Sequence, residues 1–447
     1  ALNTCDVCAA AEAEGDCGRD RPASLRRPAH HPGASRRSTQ GKMSQRRRVV
    51  PGMCPRCFSK ATLQCSKCKA VSYCCKEHQM KDWALGHKAE CGLNLPTPPR
   101  TMRPHTTDGA QCVSDEDWEL VSRHSQTPLP LVGLHNTGNT CYANSVLQCM
   151  MRIPALHASG VLAPEAETQE SGRATTFTGE FFSLVKQISA LAAPRAGRGE
   201  PVLAPNGVTA WLPELDDQFN YGQQEDSHEF LQAVMRMMDH EAVKAAGGDV
   251  GARVDEESTL ARRIFGGQMA HQIQCTKCYK ASTSFEPFMN LCLEITGVTD
   301  TLGEQLELFT APEKLDKENK FECSGCEKKV RMQKQIFIDE APLCLVVSIK
   351  RFHSASFYGK VNKHVQVPLE LNLRPYMSPG TDGDATYNLS AVLVHLDKFN
   401  IASYGHYIAY VRRGDKWFRM DDSTVSEVSA EEVLGQSVYM LFYNRVG

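Results

Sequence analysis

Apolar residues are spaced unevenly along this chain, and the character of the spacing changes from one end to the other. Residues 1–52 hold few large apolar side chains among many Ala, Arg, Pro and Gly. Such a stretch buries too little to offset the entropy of ordering, and it reads as a disordered basic segment. Around Tyr142–Met151 the pattern turns helical, with Ala143, Val146, Leu147 and Met150 at i, i+3, i+4 and i+7. A second helix is predicted over Glu225–Ala245, carrying Phe230, Leu231, Val234, Met237 and Met238 along one side. Farther on, β-branched and aromatic residues gather in short runs that predict strands at Leu343–Phe352, Asn388–Asp397, His406–Arg412, Lys416–Met420 and Val438–Asn444. Helices first and strands later make 131–447 one large α+β body.

Between tail and body the pattern is broken twice. Residues 53–92 are dense in Cys and His. Residues 93–130 hold Pro96, Pro98, Pro99, Pro104, Pro128 and Pro130, which continue neither a helix nor a central strand, so this stretch reads as a linker. Within it, Asp115–Glu119 around Trp118 reads as a solvated acidic patch in preference to a docking motif.

Composition narrows the function classes. With 41% hydrophobic and 23% charged residues among 447, the chain is of ordinary globular type. A formal net charge of -2 argues against nucleic-acid or polybasic membrane binding by the chain as a whole. The nine positive charges of Arg21–Arg48 read as a solvated tail in preference to a nuclear address. No apolar run approaches the ~18 residues of a spanning helix, and no signal-type apolar block opens the chain, which begins at Ala1 with Met43 a candidate initiator. The expected setting is intracellular, cytoplasm or nucleus. There the 19 cysteines read as zinc ligands and reactive thiol in place of disulfides.

The first cysteine cluster offers eight ligands in under forty residues: Cys54, Cys57, Cys65, Cys68, Cys74, His78, His87 and Cys91. A two-residue gap lets one turn present two corners of a tetrahedral zinc site, and eight ligands mean two ions. So small a segment needs them to fold. A second set, Cys275-x2-Cys278 and Cys323-x2-Cys326, makes a further four-ligand site separated by 44 residues, long enough to include the strand-like Phe285–Ile295.

Candidate chemistry lies in the large body. Gly133 to Thr140 form a Gly/Asn-rich turn that ends at Cys141, the start of the first helix. A cysteine there feels the positive end of the helix dipole and unpaired N–H groups, which favour the nucleophilic thiolate. Asn136 can turn its amide N–H toward an oxyanion, with the Cys141 backbone N–H as second donor. His406 stands beside Gly405 at the start of an apolar strand. The Gly414-Asp415 turn then brings back a strand ending at Asp421 and Asp422, where a carboxylate can hold the imidazole in the right tautomer.

Taken together these segments resemble two families. Tyr73-Cys74, Gln79, Trp83, His87 and Cys91 resemble the MYND zinc finger. That resemblance implies an interleaved pair of Zn2+ sites, Cys54, Cys57, Cys74 and His78 on one and Cys65, Cys68, His87 and Cys91 on the other. His78 stands where the family has Cys, and adjacent Cys75 is an alternative ligand. A proline-containing peptide is the implied partner. Gly133–Gln148, Gln223–Leu231, Lys350-Arg351-Phe352 and Gly405–Ser423 resemble, in order, the ubiquitin-specific proteases. This implies a papain-like body of thumb, palm and fingers and the removal of ubiquitin from proteins, by hydrolysis after its C-terminal glycine. Cys141, His406 and Asp421 are then the triad and Asn136 the oxyanion donor. Asp422 matches an acid that shares or assumes the orienting role, and the sequence leaves the division between the two aspartates open. Cys275, Cys278, Cys323 and Cys326 become the zinc site of the "fingers" that cradle ubiquitin. Asp226 and Glu229 match acids that grip the arginine-rich ubiquitin tail, although Asp226-x-x-Glu229 also has the form of a helix capping box. The rival classes are an inactive ubiquitin-binding module and a scaffold built around the MYND finger.

Overall fold

A computed structural model describes residues 3–5, 62–65, 72–82, 110–124, 129–168, 174–191, 200–248, 254–278, 280–295, 299–315, 321–351, 361–379, 381, 385–397 and 405–446. The chain divides into two compact units. The larger comprises 100–274, 280–310 and 336–447, the smaller 1–99, 275–279 and 311–335.

The larger unit opens with helices α1 (Asp115–His124), α2 (Cys141–Met150), α3 (Pro154–Leu162), α4 (Phe177–Ser189), α5 (Ser227–Ala245) and α6 (Leu260–Phe265). Helix α2 is buried along its whole length, so it is a core helix and not a surface one. Its Tyr142 ring meets Phe230 of α5 edge-on at 5.6 Å between centroids, a favourable aromatic geometry. Helices α3 and α4 lie between the two helices read from the sequence. In α4 the buried set is Phe177, Phe181, Leu184, Val185 and Ile188, and the Thr176 side chain caps the start by accepting from Gly179 N–H.

The same unit then builds an eight-stranded sheet from β1 (Leu291–Glu294), β2 (Cys344–Lys350), β3 (Glu370–Asn372), β4 (Thr386–Asp397), β5 (Gly405–Arg413), β6 (Lys416–Asp421), β7 (Thr424–Val428) and β8 (Val438–Arg445). Their order is β1-β2-β8-β4-β5-β6-β7, with β3 beside β4. Strands β1 and β2 run parallel, and the other neighbours are antiparallel. In β2 every residue from Cys344 to Ile349 is buried, as a near-continuous apolar run requires when both faces of a strand are covered. Helix α2 packs on β5, so the head of a core helix lies over the start of the strand that carries His406.

Residues 110–124, which the prolines marked as linker, are ordered structure: Ala110–Gln111 pair in parallel with Val254–Asp255, and α1 follows. The patch Asp115–Glu119 is therefore the first turn of a helix whose Trp118 packs against the core.

In the smaller unit, Leu63–Cys65 pairs antiparallel with Ser72–Tyr73, and a short helix, Lys76–Asp82, follows. Asn3–Cys5, inside the expected disordered segment, lies as a parallel strand along Leu63–Cys65. A two-stranded hairpin, Phe321–Cys323 with Lys328–Val330, carries Cys323 on its first strand.

Candidate active site

Cys141 is the first residue of α2 and is buried. The preceding turn needs backbone shapes that few residues take: Gly138 has φ 127° and Asn139 φ 57°. Asn is among the residues that tolerate the left-handed region, and Gly enters it without a Cβ clash. Asn136 holds this turn through its Oδ1, which accepts from Gly138 N–H at 3.1 Å and Thr140 N–H at 3.0 Å. The Asn139 amide donates to Gly222 O at 2.7 Å, fastening the turn to the loop before α5.

The opposite wall is the β5–β6–β7 meander. His406 Nε2 lies 2.6 Å from Asp421 Oδ1, and Arg419 Nη2 donates to Asp421 Oδ2 at 2.6 Å. With Nε2 occupied, the other ring nitrogen is the one left for Cys141. The Cys141 sulfur is a hydrogen-bonding partner of His406, and its bond to the protonated ring, ahead of the one to Asp421, pushes the imidazole up to about 9 against the lowering effect of burial.

Asp422 does something different. It has φ 48° in the turn between β6 and β7, and although its carboxylate lies within 4.8 Å of the His406 ring nitrogen and the Asp421 carboxylate, its hydrogen bonds go elsewhere. Its Oδ2 accepts from Asn136 Nδ2 at 2.9 Å, its Oδ1 from Asn144 Nδ2 at 2.8 Å, and its backbone oxygen from Leu134 N–H at 2.8 Å. Gly133 makes this closeness possible: a Cβ there would stand 2.4 Å from the Ser423 backbone oxygen. The structure thus brings Asp421 to His406 and Asp422 to Asn136.

Two contributors escaped the sequence reading. Asn144 is buried on α2, where it donates to Asp422 and to His135 O at 3.2 Å. Gln224 reaches across with both ends of its amide, donating to Gly405 O at 2.7 Å and accepting from Gly405 N–H at 3.3 Å. The signal for Asn144 was present, since Asn144 and Gln148 put amides at i, i+4 on a helix that is mostly apolar. Nothing local to Gln224 points at a strand about 180 residues away.

Asp226 is the N-cap of α5. Its Oδ1 accepts from His228 N–H at 2.6 Å and Glu229 N–H at 3.3 Å, and its Oδ2 accepts from Tyr439 O–H at 2.6 Å. Glu229 is exposed, takes a bond from Gln218 Nε2 at 3.3 Å, and has its carboxyl pushed up by partial burial and by the charges of Asp226 and Asp216.

Two cysteine clusters have metal-site character. The sulfurs of Cys275, Cys278, Cys323 and Cys326 lie within 4.8 Å of one another, with Cys275–Cys326 at 3.9 Å and Cys278–Cys323 at 3.5 Å. A tetrahedron with zinc–sulfur bonds of about 2.3 Å has edges of about 3.8 Å, so the four sulfurs fit a zinc ion. Backbone N–H groups of Lys277, Cys278 and Gly325 point at these sulfurs, and those of Gly325 and Cys326 hold the Cys323 thiol down to about 6. In the second cluster Cys74 Sγ is 3.1 Å from His78 Nδ1 and 3.7 Å from Cys75 Sγ. Cys65 is described and buried, whereas Cys54, Cys57, Cys68, His87 and Cys91 lie outside the described residues.

The chain is similar to known proteins. The family model described as ubiquitin carboxyl-terminal hydrolase matches residues 132–443, and that of the MYND finger, a zinc-binding module, matches 54–91. Ubiquitin carboxyl-terminal hydrolase 19 of Arabidopsis thaliana is 35% identical over 430 residues, covering 88% of this chain and 62% of that protein. Ubiquitin carboxyl-terminal hydrolase 16 of the same plant is 38% identical over 319 residues, 70% of this chain and 30% of that protein. The chain therefore spans less than two thirds of these relatives. Among solved structures, the SAGA Ubp8/Sgf11/Sus1/Sgf73 DUB module bound to ubiquitin aldehyde superposes with a TM-score of 0.60 at 25% identity, covering 71% of this chain and 70% of that one.

Proposed function

Since the chain belongs to the ubiquitin carboxyl-terminal hydrolase family, we propose that it is a cysteine protease that removes ubiquitin by hydrolysing the bond after its C-terminal glycine. The observation that carries this reading is the Cys141–His406–Asp421 line, in which a helix-head thiol bonds an imidazole whose other nitrogen is held by a carboxylate at 2.6 Å. A related solved structure holds ubiquitin aldehyde, which supports ubiquitin as the substrate.

Each residue then has a task that its surroundings favour. Cys141 gives its proton to His406 and its sulfur attacks the glycine carbonyl. The developing oxyanion is met by the Cys141 backbone N–H and the Asn136 amide. One hydrogen of the Asn136 amide is already bonded to Asp422, so the group is fixed before substrate arrives. His406 hands its proton to the departing amine, and the thioester is hydrolysed by a water that His406 deprotonates. Asp421 keeps the imidazole in one tautomer, and Arg419 keeps Asp421 in place. Asp422 acts through Asn136 and Asn144 and not through His406.

Zinc is structural in this reading. Cys275, Cys278, Cys323 and Cys326 would hold one ion, and the finger two, with Cys74 and His78 as ligands of one of them and Cys75 the alternative to His78. The finger's partner is a proline-containing peptide. The thiol-dependent chemistry suits a reducing compartment, and no described helix is long and apolar enough to cross a membrane. Asp226 and Glu229 are carried forward as contacts for the ubiquitin tail, with Asp226 also serving its helix.

The test is turnover of a fluorogenic ubiquitin substrate by Cys141→Ser. A loss of about 10³-fold or more is expected, because the hydroxyl is a far weaker nucleophile in an unchanged pocket. Activity within about tenfold of the native chain would overturn the assignment.

A further inference from the structure

Residues 110–124 lie outside both matched families, which cover 54–91 and 132–443, yet they are held to the protease body at every turn. Ala110 and Gln111 add a strand beside Val254–Asp255. Cys112 N–H donates to Ser258 Oγ at 2.7 Å and Val113 N–H to Ser258 O at 3.2 Å. Ser114 caps α1, its Oγ accepting from Asp117 N–H at 3.1 Å. Trp118 and Val121, three apart, form the inward face of the helix; Val121 is buried and Trp118 packs on the core, while Leu120 faces out.

One side chain reads most of this segment. The Arg263 guanidinium donates through Nη2 to Val113 O and Asp115 Oδ1, each at 2.9 Å, and lies 5.5 Å from the Trp118 ring centre. A planar, always-charged fork serves a carbonyl, a carboxylate and a ring face at once, which an ammonium does not. The bond from Arg263 also holds the Asp115 carboxyl below its usual range. The neighbouring Arg262 faces the other way, bonding Asp239 of α5 at 3.1 Å, so α6 is clamped between α1 on one side and α5 on the other.

The geometry points to a brace: the surface formed by Ser258, α6 and α3 is an interface whose partner is this chain's own segment 110–124. Segment 110–124 is therefore part of the protease body. The recognised pattern is an N-capped helix carrying Asp and Trp at i and i+3, read by Arg263.

Hydrogen exchange of the full chain tests this. In the native protein the α1 amides beyond the first turn are expected to be protected to a degree similar to those of α3. Arg263→Ala and, on the other side of the contact, Trp118→Ala are each expected to speed α1 exchange about tenfold or more while the α2 amides stay as they were. Arg263→Lys, which keeps the charge but not the fork, should fall between. Native α1 amides that exchange at the rate of an unstructured peptide would overturn the brace. So would variants that loosen α2 as much as α1, since that pattern belongs to a general loss of stability.

Discussion

His406 is where the residue-scale account is most exposed to measurement. The Cys141 thiol and then Asp421 raise its affinity for a proton to about 9, from 6.5. The protonated ring is favoured in the fold, so the stabilisation from this pairing is whole below about 6.5 and disappears as pH rises through about 9. In the proposed mechanism the same proton is the one given to the leaving amine, so kcat/KM should fall on the alkaline side near pH 9. Asp421→Asn removes one of the raising partners and should move that alkaline limb to lower pH, with turnover down by about 10²–10⁴. Asp422→Asn should leave the limb in place and lower kcat by about 10²–10³, as expected when an oxyanion donor loses its support. If the Asp422 variant is the one that shifts the pH profile, the two roles are exchanged. The sequence left this division open because the aspartates are adjacent and chemically identical. What distinguishes them is the hydrogen-bond partner each meets in the fold, His406 for Asp421 and Asn136 with Asn144 for Asp422, which no side-chain pattern reports.

At the scale of elements, the cysteine helix, the long helix and the late strands were legible because each has a strong period or a dense β-branched run. The expected hairpin is present, with Gly414 at φ 60° and Arg413 paired to Lys416. Helix α3 gave little signal, being short and buried from Leu156 to Gly160, so its polar and apolar faces are hardly distinct. The α1 segment was hidden by its acids and by the prolines on either side of it, and its docking depends on Arg263, about 150 residues away. Asp226 shows how an element and a site can share a residue. It caps α5 and bonds Tyr439, and the family resemblance also gives it the ubiquitin tail. Asp226→Asn separates these duties, because Asn caps a helix as well as Asp does. Stability should change by less than about 0.5 kcal/mol, while kcat/KM for a ubiquitin substrate falls about tenfold, near 1.4 kcal/mol of lost attraction. A drop in stability of about 1–2 kcal/mol with unchanged kcat/KM would assign Asp226 to the helix alone.

For the whole molecule, the zinc-ligand spacing was legible in full for the four cysteines 275, 278, 323 and 326, since paired Cys-x-x-Cys turns specify a tetrahedral site whatever lies between them. The apolar cluster beside them is small, Cys275, Cys323, Val330 and Met332, little on which to hold these strand ends without an ion. A strong chelator should therefore release metal with loss of thermal stability, and Cys275→Ser should lower metal content and ubiquitin turnover together. Full activity in metal-free protein would show the site to be dispensable. The central claim, that Cys141 attacks the C-terminal carbonyl of ubiquitin, is tested most directly by ubiquitin carrying a thiol-reactive group in place of its last glycine. Of the 19 cysteines, only Cys141 is predicted to form the covalent adduct, located by mass spectrometry of the digested conjugate and lost in Cys141→Ser. An adduct on any other cysteine, or one that persists in that variant, would contradict it.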